Sequence, residues 1–363
     1  MSLHDMREDA ADVATVVSLV PEGNDGGAAV PARPVSRGAA AWRVGRFVVL
    51  RLAAAVLVLV LVSVIVFGLV LLIPGDPAVT LSGELASETT VAATQERLGL
   101  DEPLVEQYLD WATAALRGDL GTSLRSGTSV SDALGSRLPA TLSLAVGGLI
   151  VTVVLSVGLG TLAGMRRGTW VDRVVTAVSS AGIAMPPFWV ALLLVVFVAE
   201  GSSWFPATRY TPATEGLGPW FRSLVLPSIA LGLAPAGEAT RQVRGVVATV
   251  VDRDYVRAAR AKGLRGRTVV ARHVLLNAAT TIVVVIGLQA TILLGGTVLV
   301  EQVFNFQGIG SYAFRAVQDR DLPAIQAVVL LLAVCVLLVN LVVDLATVVL
   351  DPRRRAALVG GGR

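Results

Sequence analysis

The chain holds one lysine, Lys262, and it is followed by Gly263-Leu264. A phosphate-cradling P-loop requires Gly-Lys-Ser/Thr, so this chain cannot supply that ATP site. Imidazole could come only from His4 and His273, which excludes a histidine-ligated zinc site and the HExxH arrangement. No Gly-x-Ser-x-Gly elbow is present to present a serine nucleophile. The one cysteine, Cys335, lies in an apolar run, where a thiol acts as a small buried apolar group; no disulfide framework exists. The acids Glu238 and Asp344 lie within apolar stretches, the place where ion coupling would need a carboxylate. Both have arginines nearby in sequence, Arg241 and Arg244 for the first and Arg353 for the second. Structural pairing is therefore the favoured reading over proton or cation coupling. No catalytic residue, metal site or cofactor is expected in the chain, and uphill work would draw on a partner.

One segment offers a different chemistry. Tyr255-Val-Arg-Ala-Ala-Arg-Ala-Lys-Gly263 reads as a short basic helix stopped by glycine, which accepts the left-handed conformation of a helix end. Ala258 and Ala259 are small enough for close approach by another surface. Arg257 and Lys262 favour an acidic rim. On charge alone, these residues either dock a partner or set membrane orientation.

The elements that must position this segment are apolar helices. Of 363 residues, 54% are hydrophobic and 16% charged, with a mean hydropathy of +0.71. A soluble globule of this length would carry more charge, and a net charge of +3 gives no reason to expect nucleic acid. Crossing the hydrocarbon takes about 20 apolar residues in a helix. Leu52–Ile73, Ala140–Met165, Val174–Ala199, Ala278–Val300 and Leu322–Val343 meet that length. Ser223–Gly237 is shorter and interrupted by Pro227 and Pro235; it can cross if its helix continues to Gly245, with Arg241 and Arg244 snorkelling to the headgroups. Six spans result, an all-α polytopic membrane fold.

Arginines flank alternate ends of these spans: Arg43, Arg46 and Arg51 before the first, Arg166, Arg167 and Arg173 after the second, the 245–277 loop after the fourth, and Arg353 to Arg355 after the sixth. The segment Pro74–Arg137 instead carries ten acids against four arginines. The positive-inside rule places both termini in the cytoplasm. Residues 1–41 read as a disordered cytoplasmic tail, residues 42–73 as the first span and 74–137 as a small helical extracytoplasmic segment. Ser87–Leu98 and Pro103–Leu116 have helical spacing within it. The core with five further spans occupies 138–350, and 351–363 form a cytoplasmic tail.

With these elements in place, the chain resembles the permease subunits of dipeptide/oligopeptide ABC importers, the first of their two permease types. The resemblance rests on Leu71-Leu-Ile-Pro-Gly-Asp-Pro77, Leu98-Gly-Leu-Asp-Glu-Pro-Leu104, Arg117-Gly-Asp-Leu-Gly121, Arg137-Leu-Pro-Ala-Thr-Leu142 and Pro186-Pro-Phe-Trp189. It continues through Asp254-Tyr-Val-Arg-Ala-Ala-Arg-Ala-Lys-Gly-Leu264, Val300-Glu-Gln-Val-Phe304, Gly308-Ile-Gly310 and Leu350-Asp-Pro-Arg353. It implies a type I importer permease fold that pairs with a second, homologous permease, two ABC ATPases holding ATP and magnesium, and an extracytoplasmic substrate-binding protein. It also implies that Tyr255, Arg257, Ala258, Ala259, Lys262 and Gly263 form the segment that docks on an ATPase. Importer permeases generally carry Glu-Ala-Ala-x-x-x-Gly followed by Ile-x-Leu-Pro. Here Arg257, His273 and Leu276 replace the Glu, Ile and Pro, so the ATPase contact differs in detail. Short peptides are the expected cargo. A nickel importer is the nearest alternative, and an intramembrane enzyme or a non-transporting scaffold are the alternatives of other classes.

Three further groups keep two readings each. Pro74, Gly75, Asp76 and Pro77 stop the first span at the outer interface, and Asp76 either adds to a binding-protein dock or does not. Met185, Pro186 and Pro187 bend the third span or meet substrate. Gly295 and Gly296 permit close helix contact or movement along the path.

Overall fold

The computed structural model describes residues 37–71, 87–97, 101–201, 204–205 and 208–350. The described residues form α1 (Arg37–Leu71), α2 (Glu88–Arg97), α3 (Leu104–Leu116), α4 (Val130–Met165), α5 (Trp170–Ala184) and α6 (Pro187–Leu194, prolonged by a π turn to Ala199). Then follow α7 (Leu217–Val251) and α8 (Asp254–Ala261). The long α9 spans Gly266–Val303 with a π-helical stretch over Val269–Leu275, and α10 (Ile309–Gln318) and α11 (Leu322–Leu350) complete the order. The tail up to residue 36, the turn Pro74-Gly75-Asp76-Pro77 and residues 351–363 lie outside the described residues.

Among the described residues, five helices are long and apolar enough to cross a membrane: α1 through Val48–Leu69, α4, α7, α9 and α11. The pair α5 and Pro187–Ala199 passes the same test of length and composition together, bent by 96° at its break, and brings the number to six when it is counted as one span. The apolar stretch Val174–Ala199 is thus bent at Met185-Pro186-Pro187, as its prolines lead one to expect, and the reason is local. A residue before proline is pushed out of the helical region. Met185 (φ −92°, ψ 114°) and Pro186 (φ −60°, ψ 140°) are both extended, each preceding a proline. Pro187 then opens the next helix at its first position, where its missing N–H costs nothing.

The fourth span is one helix from Leu217 to Val251 despite Pro227 and Pro235. Pro227 and Pro235 remove the N–H groups that would reach the Ser223 and Leu231 carbonyls, and the stretch stays helical where it packs on α4. Thr152 of α4 donates to the Gly232 carbonyl at 3.1 Å while also reaching its own Gly148 carbonyl at 2.9 Å.

The packing of α4 on α7 is the centre of the fold. Gly148, Thr152, Ser156, Gly160 and Gly164 recur at every fourth position and are all buried, so they form one face of α4. Small residues let two backbones approach closely where the solvent is lipid. Ideal Cβ atoms at Gly160 and Gly164 would lie 2.8 Å from Val243 and Val247 of α7. Leu144, Leu231, Leu293, Val300, Phe304 and Phe306 form an apolar cluster near the C-terminal end of α9, into which Val190 and Ala191 of α6 pack.

Among the described residues, the acids expected within the spans have partners, though not always the expected ones. Glu238 accepts from Arg241 at 2.8 Å and from Gln242 at 3.1 Å. Asp344 of α11 meets Arg51 of α1 at 2.8 Å, so its described partner is the first span's arginine rather than the C-terminal cluster. Arg244 does not snorkel outward. It forks onto Asp172 at the start of α5, with one bond of 2.7 Å, and Asp172 also accepts from the Gly168 N–H at 2.9 Å. This bidentate pair ties α5 to the inner end of α7.

On the other side, Tyr108 of α3 lies 2.9 Å from the Ser63 hydroxyl of α1, and Phe67 stacks edge-on to Tyr108 and tilted to Trp111. The two helices expected in the outer segment are thus present as α2 and α3, and the segment runs directly into α4 at Val130.

Candidate functional site

The basic segment singled out by its sequence is helix α8. Asp254 stands in its first turn and Arg260 in its last, matching the helix dipole at both ends. Val256 is fully buried and Ala259 is 5% exposed. They sit one turn apart and pack into a cluster with Val243 and Val247 of α7 and Val269, Val274, Ala278 and Ile282 of α9. That cluster seats α8 against the C-terminal half of α7 and the N-terminal part of α9.

The opposite face is open. Tyr255 is 44% exposed, and Arg257, Ala258, Arg260 and Lys262 are exposed beside it. Arg257 has a loose contact of 3.8 Å with Asp254, too long and too solvated to neutralise it. The two alanines therefore divide: Ala258 is available to a partner, whereas Ala259 is turned inward and serves the seat. Gly263 has φ +77°, and its N–H donates to the Arg260 carbonyl at 2.9 Å while the Leu264 N–H reaches Ala259 at 3.3 Å. These are the bonds of a glycine helix stop, and they turn the chain toward α9.

The remaining expected residues scatter. Met185 packs beside the cluster of Leu144, Leu231 and Leu293, and Pro186 and Pro187 form the corner described above. Phe188 and Trp189, just beyond that corner, are exposed. Gly296 faces Leu231, where an added Cβ would meet its side chain at 3.2 Å, whereas Gly295 has open space around it. Adjacent glycines thus point to different surroundings, one packed and one open. None of these groups is brought to α8. Among the described residues, no group of three or more His, Cys, Asp or Glu could hold a metal ion.

Residue reading passed over Glu301. Hydropathy ends the fifth span at Val300, which placed this acid outside the membrane, but α9 continues to Val303 and Glu301 is 1% exposed. Its Oε1 accepts from Thr141 of α4 at 2.6 Å and its Oε2 from the Ser311 N–H of α10 at 2.8 Å. The available signal was the pair of glycines Gly308 and Gly310 seven and nine positions later, whose reason is spatial. A Cβ at Gly308 would fall 2.5 Å from the Glu301 carboxyl carbon.

Known proteins supply the comparison. Residues 156–356 match the profile of the binding-protein-dependent transport system inner membrane component, and residues 44–145 match that of its N-terminal part. A probable peptide ABC transporter permease of Sinorhizobium fredii is 39% identical over 311 residues, covering 86% of this chain and 99% of the relative. A glutathione transport system permease of Salmonella choleraesuis is 38% identical over 309 residues, covering 85% and 98%. In structure, the chain is similar to a subunit of the MetNI methionine ABC transporter in an inward-facing conformation, with a TM-score of 0.51 at 17% identity, over 60% of this chain and 96% of that one.

Proposed function

The chain belongs to the binding-protein-dependent transport system inner membrane component family, and from that premise we propose that it forms half of the path by which an importer takes short peptides into the cytoplasm. It is a multi-pass inner-membrane permease subunit of an ABC importer, a transport component and not an enzyme, and it works with ATPase and substrate-binding partners. The observation that carries the peptide cargo is near full-length likeness to a peptide permease and to a permease for glutathione, itself a small peptide. Neither relative is named for nickel, so that alternative is not favoured.

The assembly we infer has a second, homologous permease across a pseudo-twofold axis, two ATPases on the inner side and a binding protein outside. ATP and magnesium belong to the ATPases. Tyr255, Arg257, Ala258 and Lys262 meet an ATPase surface, Val256 and Ala259 carry its displacement to α7 and α9, and Gly263 fixes the angle. ATP binding shifts the path between inward-open and outward-open forms only through unequal contact with the two. Pro74, Gly75, Asp76 and Pro77 lie on the side that receives the binding protein, and both termini face the cytoplasm.

Two experiments test this reading. Tagged protein extracted from its native membrane should bring down a second permease and P-loop ATPases, with Ala258→Cys forming crosslinks to an ATPase. A complex without ATPases that still transports would overturn the assignment. For orientation, Thr128→Cys in a Cys335→Ala background should react with an impermeant maleimide in intact cells, and Gly266→Cys only after lysis. The reverse pattern would invert the topology.

A further inference from the structure

Helix α10 has only ten residues and lies between the fifth and sixth spans, yet buried carboxyl groups hold it at both ends. At its start, Gly308 offers no side chain to cap the exposed N–H groups. The Glu301 carboxyl takes that place from the end of α9, accepting from the Ser311 N–H at 2.8 Å. Its other oxygen accepts from Thr141 of α4 at 2.6 Å, and the Thr141 hydroxyl oxygen in turn accepts from the Ile309 N–H at 2.8 Å. Three elements thus close on one fully buried group. A Cβ at Gly310 would lie 2.6 Å from the Val298 backbone, so α10 touches α9 main chain to main chain.

After α10, the carboxyl of Asp321, also buried, accepts from the Ser123 hydroxyl and from the Leu124 N–H at 3.1 Å. Between these anchors, Ile309 and Ala316 pack on Val130, Leu134, Ala324 and Val328. The outward face shows Phe314 and Val317, with Arg315 exposed between them.

We propose that Glu301 is a positioning residue for transport: it makes α10 one body with α4 and α9, so that a contact on the outer face of α10 displaces the second and fifth spans together. The inference rests on the importer reading, in which a binding protein supplies that contact. A buried carboxyl satisfied by donors from two other elements does not yield gradually, because any parting leaves polar groups unpaired in an apolar setting. The joint is therefore stiff while it holds. Through α9 it is continuous with the inner seat of α8, giving one helix an input at its outer end and an output at its inner end.

The test uses the whole complex in lipid nanodiscs, with ATPase rates measured alone and with saturating peptide-loaded binding protein. Thr141→Val keeps the volume but removes both the donor to Glu301 and the acceptor for Ile309, whereas Thr141→Ser keeps them. Glu301→Gln places an amide N–H2 among donors. The expected result is a basal rate within twofold of wild type for all three, with stimulation by loaded binding protein at least fivefold lower in Thr141→Val and Glu301→Gln and retained in Thr141→Ser. If Glu301→Gln does not assemble, the comparison of Val with Ser at position 141 decides. Equal stimulation in Thr141→Val and wild type would overturn the proposal alone, as would parallel loss of basal and stimulated rates. A wild-type complex unresponsive to every loaded binding protein would defeat the importer reading itself, and this proposal with it.

Discussion

Gly263→Pro should reduce peptide uptake to background while leaving the protein in the membrane. Gly263 stands at φ +77°, and proline is locked near −65°, so the helix stop cannot form as it is. Proline also removes the N–H that donates to the Arg260 carbonyl at 2.9 Å. Both losses occur just beyond α8, outside the spans, so the six-span body has no reason to unfold. What changes is the direction in which the chain leaves α8, and with it the presentation of Arg257, Ala258 and Lys262 to the ATPase. Gly263→Ala separates the two causes. An added Cβ meets nothing within 4 Å, so only backbone strain remains, about 1–2 kcal/mol for a left-handed residue with a side chain. Uptake should fall several-fold for Ala and vanish for Pro. Whole-cell uptake of a labelled dipeptide, normalised to protein in the membrane fraction, measures both. Wild-type uptake by Gly263→Pro would remove α8 from the coupling role.

The second large effect is on assembly. Gly232→Val should prevent the protein from accumulating, because an ideal Cβ at Gly232 would lie 2.5 Å from the Gly148 carbonyl oxygen and 3.0 Å from the Val151 Cβ. The nearest obstacle is backbone and cannot rotate away. The α4–α7 contact must open, and opening it also strains the 3.1 Å bond from Thr152 to the Gly232 carbonyl. Overpacking of a tight interior costs about 1–3 kcal/mol for a modest insertion and more for a larger one. Losses of 1–2 kcal/mol already change cellular abundance several-fold. Gly232→Ala should therefore reduce the amount in the membrane several-fold, and Gly232→Val should bring it close to zero. Gly245 provides the control: it lies on the same helix with nothing within 4 Å of its would-be Cβ, and Gly245→Val should accumulate nearly as wild type. Quantitative immunoblotting of membranes decides the matter, and equal accumulation of the Gly232 and Gly245 variants would show that the contact yields.

Much of this architecture is legible in the residues because it depends on local chemistry. Whether a stretch enters lipid is decided by its own side chains, so the long apolar helices can be read directly, including the one that carries Pro227 and Pro235. The helix α8 and its stop at Gly263 are local as well, since capping involves only neighbouring residues. The corner at Met185 is half legible: two successive prolines dictate extended backbone, but the 96° turn takes its value from the packing of Val190 and Ala191 against α7 and α9.

The long-range partners of the charged groups in the spans belong to the tertiary structure alone. Arg51 and Asp344 stand 293 positions apart, Asp172 and Arg244 are 72 apart, and Thr141 and Glu301 are 160 apart. No sequence spacing encodes such pairs; they follow from which helix faces meet, α1 with α11, α5 with α7 and α4 with α9. The same holds for the two alanines of α8, chemically identical in the sequence. One turn of helix leaves Ala258 open and commits Ala259 to the core. Hydropathy is a property of each residue with its solvent and so can be read residue by residue, whereas pairing is a property of two helices at a fixed angle and exists only after they have packed.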